Sequence, residues 1–265
     1  PVQEIVRATQ GALVAGDLGF TVSGLSIDAR SLGVGEAFFA ILGHRLDGHA
    51  FLADAAARGA ACLVVDALPD DVPANVPLVL VEDTTQSLGR LAAFHRARFN
   101  IPVVAVTGSN GKTTTKELAA SVMATRWEVL KPERSFNNQW GLPLTLLRLG
   151  PEHQAAMLEI GTNARGEIAA LAALASPTVA VVTTVAAVHT EFLGSLEGGR
   201  GEKAGLATPG GLAGPIVPRG GGGRQAALQA AAPAPLIYAP SRTWPPHPPA
   251  RSDPRPPPAT LVHTP

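Results

Sequence analysis

The chain has 265 residues, 46% of them apolar, with 21 basic side chains against 21 acidic ones. That length allows one large or two ordinary domains with real cores, and the even charge argues against a nucleic-acid or anionic-membrane partner. The single cysteine, Cys62, excludes an internal disulfide framework and a Cys-based zinc site, and it fits a reducing compartment.

The opening PVQEIVRATQ lacks a basic segment followed by an apolar one, and no stretch approaches the roughly 18 apolar residues of a membrane helix. The expectation is a soluble, cytoplasmic, monomeric protein. To residue 98, short apolar runs (FTVSGLSID, EAFFAIL, ACLVVDA, VPLVLVED) read as strands, and HAFLADAAARGA and TTQSLGRLAAFHRARF read as helices. These predict a small α/β domain over 1–98. From Pro102 a regular series follows: strand PVVAVTG, helix TTTKELAASVMATR, strand WEVLK, helix LPLTLLRL, strand AAMLEIG, helix EIAALAALA, strand TVAVVTTV. Buried strands alternating with helices predict a doubly wound parallel-sheet P-loop ATPase domain over 99–213, so the fold class is α/β.

After Ala213 the composition changes, and 14 of the last 52 residues are proline. Residues 214–265 are expected to be a Pro/Gly-rich tail, disordered or polyproline II. PPHPP and RPPP suit a Pro-binding module, but a tail without function is the simpler reading. Acid-poor Gly/Pro/Arg/Ala sequence is also what GC-rich DNA encodes when read out of frame.

VVAVTGSNGKTTTKE sets a glycine-rich turn between a buried strand and an amphipathic helix, the context a phosphate loop needs. Gly108 and Gly111 let successive amides of Thr107, Ser109, Asn110 and Thr114 curl around an anion at the helix's positive end. Lys112 supplies a point charge for the β and γ phosphates, and the Thr113 hydroxyl can ligate Mg²⁺. An ordinary glycine turn capping a helix is the alternative. Lysine is scarce here: against 17 Arg there are only Lys112, Lys116, Lys131 and Lys203.

TGSNGKTTTKE, FNNQWGLPLTLLRL and LEIGTNARGEIAAL resemble the Mur ligase family, which joins amino acids or peptides to a UDP-linked muramoyl precursor of bacterial cell wall. Folylpolyglutamate synthases share a similar loop. The resemblance runs from about Ser26 to Ala213. In SIDARSLGVGEAFFAILGHRLDGHAF, Ser26, Asp28, Arg30, Asp47, Gly48 and His49 match the region where family members hold the UDP end of the substrate. Read as residues alone, Asp28 and Asp47 suit turns and His49 a surface position equally well.

The resemblance implies Mg²⁺ binding by Glu159 and by His189, and a carbamate on Lys203 that turns a cation into a further metal ligand. It places Asn137 and Asn138 near the muramoyl peptide and phosphate, although both could instead cap the helix near Leu142. Plain alternatives are a buried pair or cap for Glu159, a structural role for His189 and a solvated Lys203. Thr184, Ala186 and Thr190 depart from the family's pattern around the histidine. The implied catalytic set is Lys112, Glu159, His189 and Lys203, with ATP and Mg²⁺ as cofactors. The implied reaction joins D-alanyl-D-alanine to UDP-N-acetylmuramoyl-tripeptide through an acyl phosphate, without nucleic acid or membrane insertion. Nothing after Ala213 resembles the family's third domain, so binding with weak or no turnover is expected. The alternatives are a nucleotide-binding module without ligase activity and a folylpolyglutamate-synthase-like ligase.

Overall fold

The structure, a computed structural model, describes residues 1–184 apart from 44, 72, 74, 134 and 163, then residue 206 and the backbone of 215–219 and 237–240. The first elements are α1 (Val2–Thr9), β1 (Ala12–Ala15), β2 (Gly24–Ser26), β3 (Glu36–Phe39), α2 (Leu52–Ala57), β4 (Cys62–Val65), β5 (Leu78–Leu80) and α3 (Thr84–Arg96). They form a five-stranded sheet in the order β1-β5-β4-β3-β2, parallel except where β1 meets β5. Neither α1 nor β1 was expected from the sequence. Val2 and Ile5 are nevertheless buried, one turn apart on α1, and Gln10 closes that helix in the left-handed region at φ 60°. Cys62 is buried in β4, and burial pushes its thiol up to about 12.

The second sheet is built from β6 (Val103–Thr107), β7 (Val129–Leu130), β8 (Ala155–Glu159) and β9 (Val179–Val182). The helices α4 (Lys112–Met123), α5 (Gly141–Leu146) and α6 (Glu167–Ala175) alternate with these strands. With β10 (Pro215–Arg219) and β11 (Ile237–Pro240) its order is β11-β10-β9-β6-β8-β7, parallel throughout. These last two strands lie within the stretch expected to be a tail, and they extend the sheet beyond β9. Their apolar and β-branched residues, as in PIVPR and LIYAP, make these the parts of that stretch best suited to pairing. The order places β6 between β8 and β9, so the loop leaving β6 opens at the crevice where a doubly wound sheet receives ligands.

The helix α3 ties the two sheets together. Leu88 and Leu91 pack with Phe39, Val64 and Val79 of the first, while Ala92 packs with Val103, Leu171 and Ala172 of the second. Buried Arg96 ends that helix by donating from Nε to the Ala175 carbonyl (3.0 Å), from Nη1 to Phe99 (2.6 Å) and from Nη2 to Ser176 (3.3 Å). Burial lowers its pKa. Truncating it strands several carbonyls, so Arg96→Leu is expected to cost roughly 3 kcal/mol in urea unfolding. An unchanged midpoint would show that these bonds contribute nothing net.

Candidate functional site

The loop after β6 follows from its glycines. Gly108 adopts φ +149°, and a Cβ there would run into the Thr183 hydroxyl and lie 3.0 Å from the Thr184 amide. Gly111, at φ +80°, turns the chain into α4. Thr183 and Thr184 continue β9 along the loop. The Ser109 amide donates to the Thr184 carbonyl (2.8 Å) and the Asn110 amide to Thr184 Oγ1 (3.0 Å), while Thr183 Oγ1 donates to the Asn110 carbonyl (2.6 Å). Thr184, a departure from the family pattern, therefore still holds the loop through its hydroxyl. Two amides expected to face an anion are spent on β9. The helical ladder begins with the Thr115 amide on the Gly111 carbonyl (2.9 Å), which leaves the first-turn amides of Lys112, Thr113 and Thr114 without a carbonyl four residues back. A helix end of this kind suits an anion. Lys112 Nζ donates to the Gly108 carbonyl at 2.8 Å, and buried Thr107 ends β6.

Glu159 ends β8, its Cα paired in register with Val106 of β6, and its side chain is 1% exposed. The Thr113 hydroxyl donates to Glu159 Oε2 (2.9 Å) and Asn137 Nδ2 to Oε1 (2.8 Å). The Asn137 carbonyl accepts the Gly161 amide at 2.9 Å. A carboxylate and a hydroxyl at the mouth of a phosphate loop are the hard oxygen donors that Mg²⁺ takes from protein, with the remainder coming from phosphate and water. The donor set therefore fits such an ion. Among the described residues no cluster of three or more His, Cys, Asp or Glu could hold a metal, and His189 and Lys203 lie outside the described residues.

Asn138 serves differently from Asn137: its Oδ1 accepts from the Trp140 amide (3.2 Å) and the Gly141 amide (2.9 Å), starting α5. Lys116 carried no expectation, yet it is buried one helical turn after Thr113. Its Nζ lies 3.9 Å from Glu159 Oε2 and 3.1 Å from Glu117 Oε1, and Lys131 Nζ meets Glu117 Oε2 at 2.6 Å. Lys131 first, then Lys116, hold the Glu117 carboxyl below its usual range. Lysine scarcity together with the three-residue step from Thr113 was the available signal.

In the first sheet, Ser26 Oγ donates to the Asp28 carbonyl at 3.0 Å. Asp28 accepts from the Arg30 amide (3.0 Å) and pairs with its guanidinium (2.7 Å), which keeps the carboxyl below its usual range. Asp28, Arg30 and Gly48 line a largely apolar cleft of about 400 Å³ with Phe38, Ile41 and Trp140. The indole Nε1 of Trp140, two residues after Asn138, donates to Thr85 Oγ1 (3.0 Å) while Trp140 lines the cleft. Asp47 accepts the His49 amide (2.9 Å), and the His49 ring stands between Asp47 (Nδ1, 2.7 Å) and Asp66 (Nε2, 3.1 Å). A Cβ on Gly48 would come within 2.6 Å of the Ile41 backbone nitrogen. Asp47, Gly48 and His49 thus carry local structure, and among them Gly48 lines the cleft.

Known proteins match on both sheets. The Mur ligase middle domain matches residues 106–209, and the model described as Mur ligase family, catalytic domain, matches 21–96. A UDP-N-acetylmuramoyl-tripeptide–D-alanyl-D-alanine ligase of Synechocystis sp. is 42% identical over 174 residues, 66% of this chain and 38% of that protein. The protein of the same name from Bacillus subtilis is 38% identical over 198 residues, covering 74% and 43%. MurF from Acinetobacter baumannii gives a TM-score of 0.82 at 32% identity, covering 90% of this chain and 52% of that one. MurF ligase from Thermotoga maritima in complex with ADP gives 0.66 at 30%, covering 74% and 45%. The chain spans about two fifths of the length of the curated relatives it matches. Two successive regions of one family, running from residue 21 to residue 209, make this chain a member of the Mur ligase family.

Proposed function

We propose that this chain carries the precursor- and nucleotide-binding regions of an ATP-dependent, ADP-forming ligase. Its substrates would be UDP-N-acetylmuramoyl-tripeptide and D-alanyl-D-alanine, joined as an amide in peptidoglycan precursor synthesis. The observation that carries the reading is the buried Glu159 carboxylate, held by Thr113 and Asn137 at the mouth of the phosphate loop. Residues 1–98 are assigned to the UDP end of the precursor, with Ser26, Asp28, Arg30, Asp47, Gly48 and His49 as its loops, and residues 99–213 to the nucleotide. Of those six, Asp28, Arg30 and Gly48 stand nearest the cleft chemistry, since they line it.

A carboxylate is a poor electrophile, which is why such a ligation needs ATP to convert the tripeptide's terminal carboxyl to an acyl phosphate before the amine attacks. The first-turn amides of α4 orient the terminal phosphates, and Lys112 exchanges the Gly108 carbonyl for a phosphate oxygen. Thr113 and Glu159 would hold Mg²⁺, with His189 and a carbamate formed on Lys203 as further ligands. The ion, when bound, supplies charge neutralisation at the transferring phosphoryl group. A monomer acting in the cytoplasm completes the reading, and among the described residues no helix is long and apolar enough to cross a membrane.

Isothermal titration with ATP·Mg²⁺ and, separately, with the UDP-tripeptide tests this. Saturable binding of both is the expected result. Binding of ATP·Mg²⁺ alone would leave a nucleotide module, and binding of neither would overturn the reading.

A further inference from the structure

A buried lysine beside a metal-binding carboxylate is an unusual arrangement, because a cation there competes with the ion the carboxylate is to receive. Lys116 is 1% exposed, and its ammonium lies 3.9 Å from Glu159 Oε2, the oxygen that also accepts the Thr113 hydroxyl. Oε1 is already engaged by the Asn137 amide, so Oε2 is the oxygen that Lys116 and a divalent ion would share. The ammonium is drawn the other way by Glu117 Oε1 at 3.1 Å, and Glu117 is itself held by Lys131 at 2.6 Å. The charges run in a row from the half-exposed Lys131 through Glu117 and Lys116 to Glu159, and they sum to zero.

We infer that Lys116 is a built-in counter-ion for Glu159 that keeps the nucleotide-free site a poor ligand for divalent metal, so that metal enters with the triphosphate. The inference rests on the nucleotide reading above. A buried carboxylate needs a compensating charge when no metal is present. Lys116 supplies it from the second turn of α4 without occupying the loop. A bound triphosphate brings enough negative charge for the ion to be held against the lysine's repulsion. Glu117 acts as the tether that keeps the ammonium off direct contact with Oε2. Lys116 is therefore a positioning residue, acting through Glu159.

Two substitutions should move metal affinity in opposite directions, which a merely structural role would not produce. Mn²⁺ alone is titrated into the full chain and free ion is followed by electron paramagnetic resonance, then the titration is repeated with ATP present. Lys116→Met is expected to tighten Mn²⁺ binding about tenfold without nucleotide, and to shrink the gain in Mn²⁺ affinity that ATP brings. Glu117→Gln, at a half-exposed position where folding is not at stake, frees the ammonium to close on Glu159 and is expected to weaken nucleotide-free Mn²⁺ binding severalfold. Unchanged affinity in both variants, or weakening in Lys116→Met with a native unfolding midpoint, overturns the counter-ion role. If unaltered protein takes up no Mn²⁺ even with ATP, the nucleotide reading itself fails, and that result is distinct from the other two.

Discussion

Glu159→Gln should abolish most of the metal's contribution to nucleotide binding while leaving the fold in place. The substitution keeps the shape of the side chain and its contact with Asn137, but it removes the carboxylate charge beside Thr113. ATP affinity in Mg²⁺ is expected to fall about 100-fold, equivalent to a few kcal/mol, whereas ATP affinity in chelator should hardly change. The same change leaves the Lys116 ammonium facing an amide in a buried site, with Glu117 as its remaining acid. Removing one member of a buried ion pair destabilises, so a loss of roughly 3 kcal/mol is expected in urea unfolding. If ATP binding in Mg²⁺ survives undiminished, the carboxylate is structural and the metal lies elsewhere.

Gly108→Ala is expected to end nucleotide binding for a different reason. Its φ of +149° is a conformation that side chains rarely adopt, and the added Cβ would occupy the place of the Thr183 hydroxyl. That hydroxyl holds the Asn110 carbonyl, so its displacement undoes the bond between the loop and the end of β9. ATP affinity should fall by at least about 100-fold. Gly166 provides the control. It has φ +86° but nothing within 4 Å of an added Cβ, so Gly166→Ala carries backbone strain alone, roughly 1–2 kcal/mol, with nucleotide affinity unchanged. Equal losses from the two substitutions would show that the Gly108 contact is incidental.

Much of this arrangement could be read from the residues. Val-rich runs flanking a glycine turn and a Lys-Thr pair announce strand, loop and helix, and a glutamate ending an apolar strand of a parallel sheet is placed to face the crevice. What escaped depends on tertiary neighbours. The face of α4 that carries Lys116 is set by helical spacing, but the register that pairs Val106 with Glu159 decides what that face meets. Asn137 and Asn138 are chemically identical and adjacent in sequence, and only the turn into α5 sends one to Glu159 and the other to the helix start. The amides of Ser109 and Asn110 looked available because their partner, Thr184, is 74 or more residues away in sequence. In the first sheet, the residues of DGH suit a turn as well as a binding loop, and Asp66, whose carboxyl stands 3.1 Å from the His49 ring, lies beyond any local pattern. The helix α1 does carry helical apolar spacing in Val2, Ile5 and Val6, but its eight residues fall short of the length at which such spacing separates a helix from a short strand.

Thr113 and Glu159 are expected to face one shared ion at the end of the phosphate loop. Crystals of the full chain grown with Mn²⁺ and a non-hydrolysable ATP analogue, measured at the manganese absorption edge, address it directly. An anomalous peak is expected in coordinating contact with both Thr113 Oγ1 and Glu159 Oε2, with the analogue's phosphates on the first turn of α4. A nucleotide bound on another surface, or a manganese peak out of reach of Glu159, would contradict it.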